Sequence, residues 1–183
     1  LIVQYMAQPI FQIFLGLNPA LFGLAMTIPR IWDAFTDPVM GRISDRSQSR
    51  YGRRRPYVFV GALAVALTFL TIWMVPQSMG DTGTFLWLTI GSVLFFTAFT
   101  VFSVPFNALV YEQTPDYHER TRLMFYLALF YNIGNLCVNW YVPATSWSGF
   151  ENPLMGARWI ALGLALVVFM GMGILPAIFG KER

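Results

Sequence analysis

The chain is 183 residues long, 56% hydrophobic and only 11% charged, where a soluble domain carries about 25% charged residues. So little polar surface cannot clothe a water-soluble globule, and the mean hydropathy of +0.56 excludes a disordered chain. A net charge of +3 is no polybasic surface, which excludes nucleic acid as a partner. The single cysteine, Cys137, excludes a disulfide framework and a cysteine-based metal site. A lipid bilayer is the partner this composition requires.

A hydrocarbon core of about 30 Å needs about 20 mostly apolar residues per helix. In chain order, residues 1–15 are apolar but short, and the chain does not begin with Met. They read as the tail of a first span whose start is missing, not as a signal peptide, since a basic n-region and a small-residue cleavage site are both absent. Residues 19–43 are apolar but contain Arg30, Asp33, Asp37 and Arg42. Residues 57–75, 85–110 and 123–142 hold no charge, and 157–179 holds none beyond Arg158. The expectation is an all-α membrane protein: one bundle of six transmembrane helices over residues 1–183, the first incomplete.

The connections alternate in charge. Residues 16–18, 76–84 and 143–156 contain no Lys or Arg. The second connection holds Arg42, Arg46, Arg50, Arg53, Arg54 and Arg55; the fourth holds Arg120 and Arg122; the C-terminus holds Lys181 and Arg183. Arg158 alone lies on the opposite side, and Arg30 lies within a span. The positive-inside rule makes the basic side cytoplasmic, with the C-terminus of this segment inside. Trp87, Trp140, Trp147 and Trp159 then fall near the outer boundary, as an aromatic belt would. The expected location is the cell membrane, crossed repeatedly.

Ionisable groups inside a membrane cost about 2.5–3.5 kcal/mol each on insertion scales, so they are read as functional. PRIWDAFTDPVMGR holds Arg30, Asp33 and Asp37, with Arg42 at its end. Arg30 and Asp33 are three apart, Asp33 and Asp37 four apart, and Gly41 follows four later, all on one helical face. The stripe carries a formal charge of −1, which one monovalent cation neutralises. Pro29 and Pro38 cannot donate to the carbonyls of Ala25 and Ala34, and interrupted helices with freed carbonyls coordinate ions at mid-membrane in transporters. The alternative is that Arg30 pairs with Asp33 and the rest faces an aqueous vestibule. No H-E-x-x-H, G-x-S-x-G or G-x-x-x-x-G-K-[ST] pattern occurs, which points away from an enzyme and from ATP as a driver.

DAFTDPVMGRISDRSQSRYGRRRP, residues 33–56, closely resembles the helix 2 to loop 2–3 signature of the glycoside–pentoside–hexuronide:cation symporter family, within the major facilitator superfamily. PFNALVYEQTPDYHERTRL, residues 105–123, resembles the end of helix 4 and loop 4–5 of that family. The resemblance covers nearly the whole chain, as the N-terminal six-helix half of a twelve-helix fold. It implies that Asp33 and Asp37 hold the coupling cation, with Thr36 between them and Thr100 beside them on helix 4. Arg30 and Trp32, neighbours in the same motif, are assigned toward the substrate. Gly41, Asp45, Arg46, Gly52, Arg53 and Arg54 match the cytoplasmic gating motif, in which Asp and Arg side chains lock helix ends in the outward-facing state. Asp116, Glu119 and Arg120 complete that cytoplasmic set.

The departures matter equally. The sugar-binding aspartate of the family's melibiose carriers falls at Ser103, its stacking tryptophan at Asn107, and a common helix-5 arginine at about Leu127. The cation half of the pattern is kept and the melibiose-type contacts are not; family relatives carry other solutes, lysolipids included. Ser103, Asn107, Tyr131, Asn132 and Asn135 stand as candidate substrate contacts, the last three equally as interhelical hydrogen-bonding groups. Small residues (Gly61, Ala62, Ala64, Ala66, Gly163, Gly171, Gly173) suit close helix packing, and Pro176 suits a kink. The expected function is symport of a sugar or related small solute with Na+ or H+, with no other cofactor or metal. A C-terminal six-helix half or a second copy would complete the carrier. The alternative is a half-transporter fragment or membrane assembly subunit that transports nothing on its own.

Overall fold

The computed structural model describes residues 2–47, 52–76, 79–113, 117–145, 150, 152–168 and 171. Expectations that fall on Arg50, Asp116, Trp147, Gly173, Pro176, Lys181 and Arg183 lie outside the described residues. Among those residues the regular structure is helical, with no strand.

Helix α1 (Ile2–Gln8) passes at Pro9 into a π-helical turn, Pro9–Phe14. Proline brings no N–H to the ladder, and the register widens beyond it: Leu15 N–H donates to the Ile10 carbonyl at 2.9 Å. Gly16 then turns the chain at φ +72°, a left-handed conformation that glycine enters without a Cβ penalty. Asn18 caps helix α2 (Pro19–Arg46); its side chain accepts from the Ala20 N–H at 2.9 Å, and Pro19 takes the first helical position. Helix α2 runs unbroken through Pro29 and Pro38, so the interruption expected there is absent. Each proline still deletes one ladder bond, but packing against a later helix keeps the axis continuous.

Helix α3 (Arg55–Trp73) buries Val58, Gly61, Ala62, Val65, Ala66, Phe69, Ile72 and Trp73. That recurrence every three to four residues is one apolar stripe. It lies antiparallel on helix α4 (Asp81–Gln113): Ile72 meets Gly91 near one end, and Gly61 meets Phe102 toward the other. A Cβ at Gly61 would sit 2.7 Å from the Phe102 backbone N and Cα, so only glycine permits this approach. Helices α2 and α4, by contrast, run parallel. Trp32 pairs with Thr97, Asp37 with Thr100 and Gly41 with Val104, at a near-constant offset. The three helices therefore alternate in direction, which puts the arginine-rich connection and the Pro76–Gly80 connection at opposite ends.

Helix α5 (Tyr117–Val138) ends earlier than the expected span 123–142. Asn139 and Trp140 N–H donate to the Leu136 and Cys137 carbonyls, a tightening to i→i+3 that terminates the helix. A short helix α6 (Tyr141–Thr145) follows where an irregular connection was expected, and helix α7 (Pro153–Val168) starts ahead of residue 157. Gly156 packs on α6, its Cβ position 2.7 Å from the Thr145 carbonyl. Gly163 and Gly171, expected at close contacts, have open space beside them; Ala157, Ala161 and Ala165 form the buried face instead. Arg158 donates Nε to the Trp73 carbonyl (3.1 Å) and Nη2 to the Val75 carbonyl (2.9 Å), satisfying groups that the end of α3 leaves open.

An aromatic cluster joins these elements at one end. Trp73, fully buried, lies 6.4 Å from Phe11, 5.8 Å from Phe69 and 5.7 Å from Tyr141 between ring centroids. Among the described residues two helices, Arg55–Trp73 and Asp81–Tyr111, are long and apolar enough to cross a membrane, and Pro153–Val167 is apolar but shorter. Six spans were expected. Helix α2 has the length but carries charges along it, and α5 opens with His118, Glu119, Arg120 and Arg122.

Two outcomes test this packing by thermal unfolding of the purified protein in detergent. Gly61→Ala should destabilise by about 1–3 kcal/mol, because rigid backbone must move. Gly91→Ala, whose Cβ meets the Ile72 side chain at 3.2 Å, should cost less. Arg158→Met should cost about 1–3 kcal/mol, the range for charged hydrogen bonds on a partly exposed group. Arg158→Lys should recover little of it, since a single ammonium does not present the two-pronged fork.

Candidate functional site

The site is built on the face that α2 turns toward α4. Arg30 Nη1 lies 4.0 Å from Asp33 Oδ2, one turn along, and the Arg30 guanidinium sits over the Phe96 ring of α4 at 4.8 Å. The Asp33 side chain is 19% exposed against 51% for Arg30. Its Oδ1 is buried and accepts no hydrogen bond among the described residues. Arg30 at that distance is a loose partner, so Asp33 keeps a buried oxygen with free lone pairs.

One further turn along, the Thr100 hydroxyl of α4 donates to Asp37 Oδ1 at 2.8 Å. Thr100 is buried, while Asp37 is exposed on its other side. A carboxylate bonded by one hydroxyl retains most of its acceptor capacity. The Thr36 hydroxyl turns back onto its own helix, to the Trp32 carbonyl (3.3 Å) and the Asp33 carbonyl (3.5 Å). Its proton is thereby taken up by backbone. Trp32 Nε1 donates across to Thr97 Oγ1 at 3.0 Å. The structure therefore brings Arg30, Trp32, Asp33, Asp37 and Thr100 together on one α2–α4 seam.

Ser103 and Asn107 continue the Thr100 face of α4 at helical spacing, Ser103 half-buried and Asn107 exposed. Tyr131, Asn132 and Asn135 do not join them. The Asn132 amide donates to the Ala128 carbonyl (2.8 Å) and the Asn135 amide to the Tyr131 carbonyl (2.9 Å), both within α5. Neither the expected substrate cavity nor the alternative of interhelical bonding is seen for that pair among the described residues. Each amide satisfies the helix it sits on.

At the end of α2 the basic set assembles. Arg54 is buried at the cap of α3 and its Nη2 donates to Asp45 Oδ1 at 2.6 Å. That hydrogen bond, with the charges of Arg54 and Arg53, holds the Asp45 carboxyl below the usual carboxylate range. Gly52 has φ +105°, a conformation that side chains resist, so the glycine aims the arginine run back at α2. Gly41 leaves 3.9 Å between its Cβ position and Val104. Arg46 lies exposed in the last turn of α2. Arg120 Nη2 donates to the Tyr111 carbonyl at 3.1 Å, tying the start of α5 to the end of α4. Glu119, with Arg122, Leu123 and Tyr126, lines a shallow open depression.

Sequence reasoning missed three contacts. Thr97 lies one turn before Thr100, and its spacing was the available signal. The Phe96 perch for Arg30 and the Arg158 bonds to the end of α3 had no local signature, because both join residues far apart in the chain.

Comparison with known proteins identifies the family. A family model described as MFS/sugar transport protein matches residues 2–182. An uncharacterized symporter of Synechocystis sp. is 36% identical over 113 residues, 59% of this chain and 21% of the relative. The sodium-dependent lysophosphatidylcholine symporter 1-A of Danio rerio is 34% identical over 114 residues, 60% of this chain and 21% of the relative. The putative glycoside/cation symporter YagG of Escherichia coli is 27% identical over 158 residues, 85% of this chain and 34% of the relative. The chain thus spans about a fifth to a third of the length of these relatives, whose names are those of transporters and not of enzymes. By the extent of the family match, the chain belongs to the MFS/sugar transport protein family.

Proposed function

We propose that this chain is the N-terminal six-helix half of a secondary active transporter in the cell membrane, which moves a small solute by symport with Na+ or H+. The Thr100–Asp37 hydrogen bond across the α2–α4 seam carries the reading. It places a hydroxyl, a carboxylate and, one turn away, the unbonded Asp33 Oδ1 on one surface of net charge −1. Hard oxygen donors near the Ala34 carbonyl freed by Pro38 suit Na+, and a carboxylate pair equally suits a proton. Neutralising the stripe removes the cost of moving it against a second six-helix half, which couples the ion to the rocking of the two halves. The Asp45–Arg54 pair and the arginine run act at the cytoplasmic end as the lock of the outward-facing state.

The solute class rests on the relatives. A glycoside in one name and a lysophosphatidylcholine in another bracket a sugar or an amphiphile, and a sugar or glycoside is the reading preferred here. Ser103 and Asn107 supply the polar contacts on α4, and Arg30 and Trp32 those on α2. The second reading, a half that transports nothing by itself, follows from the fifth to a third of the relatives' length that the chain spans.

Counterflow in proteoliposomes separates these readings. The full-length polypeptide bearing this chain is assayed with a panel of glycosides, pentosides, hexuronides and lysophosphatidylcholine, with and without Na+, at two pH values. The 183-residue chain alone is assayed in parallel. Ion-stimulated counterflow by the full-length protein supports symport; none with any solute overturns it. Asp33→Asn and Asp37→Asn should each lower ion-stimulated uptake about ten- to a hundredfold, the effect of one lost charge-assisted interaction, with membrane insertion intact.

The lock has a defined pH window. Because its partner arginine lowers the Asp45 pKa, the contribution of the pair is complete above the ordinary carboxylate value of about 3.9. It is lost as pH falls through the lowered value. Melting scans should therefore show the difference between wild type and Asp45→Asn constant from pH 5 to 7 and shrinking only below about pH 4.

A further inference from the structure

Among the described residues two side-chain hydrogen bonds cross the α2–α4 seam, and they point in opposite directions. Thr100 of α4 donates to Asp37 of α2 at 2.8 Å; Trp32 of α2 donates to Thr97 of α4 at 3.0 Å. Thr97 and Thr100 are three apart and share a face of α4. The Thr97 hydroxyl proton is committed to the Val93 carbonyl at 2.7 Å, so its oxygen is left as an acceptor, and an indole N–H can only donate. The pair has one polarity and one geometry. It lies beside the Arg30–Phe96 contact on a packed seam, where it opposes rotation of α2 about its axis or a slide by a fraction of a turn. Either motion would part the Asp37 carboxylate from the Thr100 hydroxyl.

We propose that Thr97, through its hydrogen bond to the Trp32 indole, is the positioning residue that sets the register of α2 on α4, and with it the affinity of the Asp37–Thr100 site for its cation. This rests on the cation-site reading given above. Thr97 touches neither the ion nor the solute; it acts through Trp32 and the α2 backbone. Loss of a neutral hydrogen bond corresponds to about a three- to tenfold weakening. Serine at position 97 keeps the acceptor oxygen and its back-bond to Val93, whereas valine keeps the shape and loses both.

The test is calorimetric titration of NaCl into purified full-length protein at pH 8 in a choline buffer, with proton uptake followed by pH titration of the same samples. The variants are Thr97→Val, Thr97→Ser, Trp32→Phe, Thr97→Val with Trp32→Phe, and Asp37→Asn as the control for the site itself. Thr97→Val is expected to weaken Na+ binding, or displace the proton-uptake midpoint, by three- to tenfold, and Thr97→Ser to restore it. Trp32→Phe is expected to reproduce the valine variant, and the double variant to be no worse than either single one. Unchanged ion binding in Thr97→Val, or a serine variant as impaired as valine, overturns the proposal. If Asp37→Asn still binds the ion at full strength, the cation-site reading fails first. If Asp37→Asn loses the ion while Thr97→Val does not, only the positioning role fails.

Discussion

Everything in this fold answers to where α2 puts its charges. A helix with a guanidinium and two carboxylates along one stripe cannot turn that stripe to hydrocarbon, so it must lie against protein. The surface it finds is α4, which offers hydroxyls at Thr97 and Thr100 and a ring face at Phe96. Trp32 and Asp37 meet complementary groups there, while one buried oxygen of Asp33 has no hydrogen-bond partner among the described residues.

Rigidity is concentrated on the other side of α4. Helix α3 approaches so closely at Gly61 that backbone touches backbone, and Arg158 ties the end of α3 to the start of α7. The Trp73 cluster adds α6 and the π-helical turn to the same block. The seam with α2 is also closely packed, and side-chain hydrogen bonds at Trp32–Thr97 and Thr100–Asp37 are added to that packing.

Much of this was legible in the residues. The charged stripe follows from spacing alone, since Arg30, Asp33 and Asp37 are three and four apart. The resemblance pointed to Thr100, and its hydroxyl is found on Asp37. The small residues of α3 pointed to close packing, and Gly61 makes it. The failures have physical causes. The prolines of α2 suggested a break, but a helix supported by a neighbour tolerates two missing ladder bonds. Gly163 of α7 suggested a contact, yet a glycine marks a close approach only when a partner lies opposite, as one does at Gly156. Asn132 and Asn135, candidates for a cavity, are not among these failures; their amides bond the carbonyls one turn back. Partners such as Thr97 for Trp32 are invisible locally, because they are set by how two distant helices pair.

The parallel pairing of α2 with α4 also has a consequence for biosynthesis. Helix α3 and helix α4 form a hairpin with a short connection and can enter the bilayer as one unit. The partners of α2, however, are made about 60 residues after it, which at about 5–20 residues per second is a delay of about 3–12 s. During that interval the nascent α2 has only Arg30 of its own helix to face its carboxylates, and the hydroxyls of Thr97 and Thr100 reach it only once α4 has been made.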